Sequence, residues 1–199
     1  ILDLYNSQYK KCIGFADIEF DHIEDYDGKM VGMYNSYIEN YYNDNQILLA
    51  TAPTAKEAIE VYKELPNIIK GFGELKLYDN YQGKEVPYKK IITAREVCAF
   101  SSKNNNLPVY IHYSLTNDSE VRQFNNLLKS YPTVPIVLCH WGMEENNKDF
   151  AYQHCVDLMK KYYNFWVDIS YDAADYFVLN PMKLYNLDMG RIILGSDCT

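Results

Sequence analysis

Residues 107–142 read "LPVYIHYSLTNDSEVRQFNNLLKSYPTVPIVLCHWG". The segment opens on an apolar run, Val109 to Ile111, that closes on His112. Val121, Phe124, Leu127 and Leu128 then recur at helical spacing along one face. Pro132 ends that helix, because its ring cannot continue the hydrogen-bond ladder. A second apolar run, Ile136 to Leu138, leads to His140. Strand, helix and strand in this order make a parallel pair, joined by a crossover helix. Each of the two strands carries an imidazole at its C-terminal end.

The same alternation extends both ways. Upstream, "CIGFADIEF" (12–20) and "ILLATAP" (47–53) read as strands, and "TAKEAIEVYKEL" (54–65) as a helix. Thr54 with Glu57 three residues on has the form of a capping box. "IIKGFGELKLY" (68–78) is the next strand, and the loop "DNYQGKEVP" (79–87) leads to a helix through Ile91, Ala94, Val97 and Cys98. Downstream, a helix spans about Asp149 to Tyr162, with Ala151, Cys155, Leu158, Met159 and Tyr162 as its stripe. "NFWVDIS" (164–170) and "RIILGSD" (191–197) are strands, with a helical stretch in "AADYFVLNPMKLY" (173–185) between them.

Repeated strand-helix alternation means a parallel sheet covered by helices, an α/β fold. Glu74, His112, His140, Asp168 and Asp197 all sit at C-terminal strand ends. In an open sheet, chemistry gathers where the strand order reverses. Side chains from so many strand ends meet only if the sheet closes, so the expected fold is a (β/α)8 barrel. Seven strands are visible, whereas such a barrel takes about 250 residues. The expectation is one domain over 1–199, incomplete at both ends. It lacks a first strand before the helix "LDLYNSQYK" and a last helix after Thr199. The start at Ile1 rather than Met agrees.

Composition narrows the partners. The net charge is -8, and no stretch is basic enough to follow a phosphate backbone. Nucleic acid is excluded as a partner. No apolar run approaches the roughly 20 residues that span a bilayer, which excludes a membrane span, and no signal peptide is visible. The five cysteines lack zinc-finger or redox spacing, so reduced thiols in a cytoplasm are expected. The 20 tyrosines offer surface for a homo-oligomer. The expected partner otherwise is a small-molecule substrate.

Period two puts His112 on the side of Tyr110, His140 with Leu138 and Ile136, Asp197 with Gly195 and Ile193, and Glu74 with Phe72 and Lys76. If those sides line the barrel mouth, two imidazoles and two carboxylates converge there. Neutral imidazole nitrogens and carboxylate oxygens are ligands that zinc and its neighbours accept. Each has a plainer reading as well. A lone strand-end histidine is commonly structural, "GSD" is also helix-capping chemistry, and Glu74 could pair with Lys76. Agreement in place and order favours the metal site. Asp168 faces the mouth by parity, as an orienting residue or a substrate contact. Cys139 points to the helix side by parity and packs in the core, while Cys198 is undetermined. His154 reads as a boundary residue. His22 and the acidic cluster "DHIEDYD" (21–27) read as loop, because calcium-loop spacing is absent.

"GFGELKLY", "LPVYIHYS", "PIVLCHWG", "NFWVDIS" and "RIILGSDCT", in this order, resemble the metal-dependent amidohydrolase superfamily, in particular its TIM-barrel hydrolases and decarboxylases. The resemblance runs from about Ile47 to Asp197. It implies metal ligands at His112 and His140, at the ends of the family's fifth and sixth strands. It implies that Asp197 is the last-strand aspartate that approaches the metal and serves as general base. Glu74 corresponds to the acidic ligand that some branches carry on the fourth strand; Lys76 is the nearby candidate for the carbamylated lysine of others. One departure is plain: the family's His-x-His pair on the first strand has no counterpart here. A lost first strand explains this, and the rival explanation is a weakened site.

The function so implied is metal-dependent hydrolysis with a divalent ion, zinc foremost, held by His112, His140, Asp197 and Glu74. Asp197 and His140 are the catalytic candidates. Lys76, Tyr113, Trp141 and Asp168 are candidates for substrate binding. Non-oxidative decarboxylation with the same ligands is one alternative. A barrel that binds a ligand without catalysis is another.

Overall fold

A computed structural model describes residues 12–15, 30–40, 42, 46–52, 54–77, 80–81, 84–85, 91–185 and 187–194. Its strands are β1 (Cys12–Phe15), β2 (Gln46–Ala50), β3 (Ile69–Lys76), β4 (Asn80–Tyr81), β5 (Lys84–Glu85), β6 (Val109–His112), β7 (Ile136–Leu138), β8 (Phe165–Ile169) and β9 (Ile192–Leu194). Its helices are α1 (Met30–Asn40), α2 (Ala55–Glu64), α3 (Ile91–Ser101), α4 (Asp118–Ser130), α5 (Lys148–Lys161) and α6 (Tyr171–Leu179). Seven strands form one sheet in the order β1-β2-β3-β6-β7-β8-β9, every neighbouring pair parallel. The sheet curls into an incomplete barrel with helices between its strands. Strand order equals chain order because each crossover helix returns the chain beside the strand it left. β4 and β5 form a separate antiparallel pair inside the predicted loop 79–87.

The helices start where the sequence provides donors and acceptors for their ends. Thr54 caps α2: its Oγ1 accepts from the Glu57 N–H at 3.2 Å and donates to Glu57 Oε2 at 2.6 Å. Asn117 caps α4 by accepting from the Ser119 and Glu120 amides. Each such cap contributes about 1 kcal/mol. Helix α1 falls in a stretch with no helical expectation. "MVGMYNSYIEN" contains Gly, Asn and Ser, all poor helix formers. Its fixed point is Tyr34, fully buried, whose hydroxyl donates to the Leu49 carbonyl at 2.7 Å and accepts from the Thr51 amide at 2.7 Å. Tertiary packing overrides propensity there.

Two apolar clusters follow from the pleat. Leu48, Ala50, Phe72, Leu75, Val109, Ile111, Ile136, Leu138 and Val167 pack outward against the helices. Full burial of such a side chain is worth roughly 1.5–3 kcal/mol. Leu49, Tyr110, Val137 and Cys139 form the second cluster, with Ile47, Trp166 and Ile193 packed against it. These residues come from the strands and, for Cys139, the position just after β7, and they line the concave face. Cys139 therefore lies inside the curl, which corrects the expectation that it packs toward the helices. Among the described residues, no helix is long and apolar enough to cross a membrane. The helix predicted at "LDLYNSQYK", the loop holding His22 and the segment from Gly195 to Thr199 lie outside the described residues.

Candidate metal centre

Three strand ends meet at the mouth of the curl. Glu74 from β3, His112 from β6 and His140, just past β7, present ligand atoms that all lie within 4.8 Å of one another. His112 Nδ1 is 2.5 Å from Glu74 Oε1, and His140 Nε2 is 3.7 Å from the same oxygen. The two imidazole rings stand edge to face with centroids 4.7 Å apart.

His112 arrives as period two dictates, on the concave side with Tyr110. The other two arrive by local breaks in the pleat. The register of β3 against β6 shifts between Phe72 and Leu75. Phe72 and Leu75 both face the helices, and Glu74 between them faces the imidazoles. The expectation that Glu74 shares a face with Phe72 is thereby corrected. Gly73 allows the shift: its φ is +125°, and a Cβ there would stand 2.6 Å from the Tyr110 carbonyl oxygen. At β7 the regular strand stops at Leu138. His140 and Trp141 then take left-handed dihedrals, with φ of 52° and 58°. His140 is turned into the site while Leu138 and Ile136 pack outward, so it does not share their face as parity suggests.

The same turn places Trp141 away from the mouth. Its indole stacks on Tyr152 at 6.2 Å and meets Phe177 edge-on at 4.7 Å, fully buried among α5 and α6. Tyr113 likewise stacks on Phe124 of α4 at 6.1 Å. Both residues belong to the helix-side core. Tyr113 faces the helices because it follows His112 in the alternation of β6, and Trp141 because the chain turns left-handed after β7, so neither ring faces the mouth. Lys76 is half-buried, in register with His112 and two residues beyond Glu74.

Asp168 sits behind His140. Its Oδ1 accepts the His140 backbone N–H at 2.8 Å and the Ser170 hydroxyl at 2.6 Å. Burial, the largest influence, raises its pKa, and those hydrogen bonds offset this only in part. Glu74 balances differently. Burial works to raise its pKa, but the hydrogen bonds and charges of His112 and His140 together outweigh it. Its carboxyl is held well below the usual range and stays ionised. Thr51, which sequence reading passed over, donates from Oγ1 to the Glu74 carbonyl at 2.7 Å. A strand-end threonine gives no signal for this, since its partner lies on the next strand.

The loops at the mouth are fixed as well. Asn147 donates to the Leu115 and Gly142 carbonyls and accepts from the Glu144 amide. Ser114 contacts Glu144 across the same two loops. Asp197 lies outside the described residues. Two imidazoles and an ionised, half-buried carboxylate are a donor set suited to zinc and related first-row ions.

No family model matches the sequence, and no curated protein matches it. Solved structures do. A TatD-family hydrolase from Entamoeba histolytica aligns with TM-score 0.57 at 12% identity, over 95% of this chain and 60% of that one. Dihydroorotase from Campylobacter jejuni gives 0.51 at 16%, over 88% and 57%. A 2,6-dihydroxybenzoate decarboxylase complexed with 2,6-dihydroxybenzoate gives 0.50 at 15%, over 89% and 67%. All three are amidohydrolase-superfamily barrels. The fold is that of an incomplete TIM barrel. This chain spans between 57 and 67% of the length of those three structures. In TIM-barrel enzymes the C-terminal strand ends carry the active site, and Glu74, His112 and His140 lie at that end of the sheet.

Proposed function

We propose that the chain provides the active face of a metal-dependent hydrolase acting on a small molecule. The convergence of Glu74, His112 and His140 within 4.8 Å carries the reading. These three residues, with Asp197, would hold one divalent ion, and zinc suits the donors best. When bound, such an ion supplies Lewis acidity and makes hydroxide available at neutral pH. Asp197 takes a proton from the attacking water and returns it to the leaving group. Asp168 holds His140 in place, and Lys76 polarises the substrate from the His112 side. Buried free thiols at Cys98 and Cys155 support a reducing, cytoplasmic setting.

Asp197→Asn tests the base. The variant is expected to fold, while turnover of an activated ester or amide falls by roughly 100-fold or more. Undiminished turnover would remove Asp197 from the mechanism. Similarity to the decarboxylase supports a second reading, non-oxidative decarboxylation by the same residues. Carbon dioxide release from a hydroxybenzoate, with no ester or amide hydrolysis, would select it.

A further inference from the structure

Ser170 stands directly before α6, in the N-cap position. A serine there ordinarily accepts a hydrogen bond from the first turn of its helix. This one does not. Its side chain is buried, and its hydroxyl points the other way, into the site. It donates to Asp168 Oδ1 at 2.6 Å and lies 2.8 Å from His140 Nδ1.

A serine hydroxyl has a single proton. Asp168 Oδ1 also accepts the His140 backbone N–H, so that oxygen serves as an acceptor and the serine proton goes to it. The hydroxyl oxygen can then only accept from Nδ1. His140 must carry a proton on Nδ1, so that in the neutral ring Nε2 is the nitrogen with the lone pair. Nε2 is also the nitrogen on the Glu74 side, 3.7 Å from Oε1. The direct alternative, Asp168 bonding the ring itself, is too long: Nδ1 to Oδ1 is 3.9 Å. Asp168 reaches the imidazole only through the serine.

We infer that Ser170 is a positioning residue that fixes the Nδ1–H tautomer of His140 and so presents Nε2 as a metal ligand. The inference rests on the metal-site reading for its purpose, though not for its geometry. Its backbone setting is consistent with such a demand. Tyr171, the next residue, has φ of 46°, a conformation uncommon outside glycine, and its ring lies 6.0 Å from the His140 ring.

The ring nitrogen shifts of His140 decide the matter without metal. The sequence has four histidines, and His140→Gln assigns the signal. In the metal-free chain at neutral pH, long-range 1H–15N spectra are expected to show His140 as Nδ1–H. Ser170→Ala is expected to shift it toward a tautomer mixture and to weaken cobalt(II) binding by roughly 10–100-fold, with Ser170→Thr restoring both. An Nε2–H imidazole in the unmodified chain overturns the inference. So does an alanine variant that keeps both tautomer and affinity. An unmodified chain that binds no cobalt overturns the metal reading instead, and the tautomer still judges Ser170.

Discussion

His112 Nδ1 and Glu74 Oε1 lie 2.5 Å apart, although 38 positions separate the two residues in the chain. β3 and β6 are adjacent in the sheet, in spite of α3 and the β4–β5 pair between them in sequence. Their C-terminal ends therefore share the mouth, and a parallel sheet brings together what the chain keeps distant. The contact also depends on the irregularity at Gly73, without which the pleat would direct Glu74 toward the helices.

Gly73→Ala tests that dependence. The new methyl would meet the Tyr110 carbonyl oxygen and Cβ, both at 2.6 Å, on a backbone with φ of +125°. Strain and clash together should cost roughly 3 kcal/mol or more. Urea denaturation is expected to show that loss, along with diminished metal binding. A variant of unchanged stability would mean that β3 does not pass Tyr110 so closely.

Thr51→Val removes the hydroxyl that holds the Glu74 carbonyl while nearly keeping the shape. Loss of one buried hydrogen bond costs about 1–3 kcal/mol. For a chain of this size that lowers Tm by roughly 2–4 °C per kcal/mol. Calorimetry should find that drop, and cobalt(II) titration a weaker site. An unaltered Tm would show that the Thr51 bond adds nothing.

A surface cluster at the start of α5 sets part of the acid response. Asp149 accepts from the Tyr176 hydroxyl at 2.6 Å and from Lys183 Nζ at 3.0 Å, and these partners hold its carboxyl below the usual range. A depressed carboxylate stabilises the fold above the ordinary carboxyl pKa, near 4, and the contribution disappears as pH falls through its lowered value. Asp149→Asn should therefore lower Tm slightly at pH 7, with the difference from the unmodified chain closing below about pH 4. A difference that grows in acid would contradict the assignment.

Much of the barrel was legible because its strands and helices keep clean periods. The runs ending in His112 and His140 announce both the parallel sheet and its reactive edge. Parity then failed at two points. Period two assumes an unbroken pleat, whereas β3 shifts register near Gly73 and the chain turns left-handed at His140 and Trp141. Hence Phe72 and Cys139 face opposite to expectation, while Glu74 and His140 still reach the mouth. Helix α1 was illegible because its stability comes from Tyr34 reaching β2 rather than from its own residues. Ser170 was passed over because a serine before a helix ordinarily reads as a cap, and only its partners reveal otherwise.

X-ray absorption at the zinc edge of the chain loaded with one equivalent of zinc tests the central claim most directly. Two imidazoles and carboxylate oxygen are predicted as ligands, with one imidazole signature lost in either His112→Gln or His140→Gln and an oxygen ligand lost or displaced in Glu74→Gln. A zinc environment without imidazole, or one unchanged by all three substitutions, would contradict it.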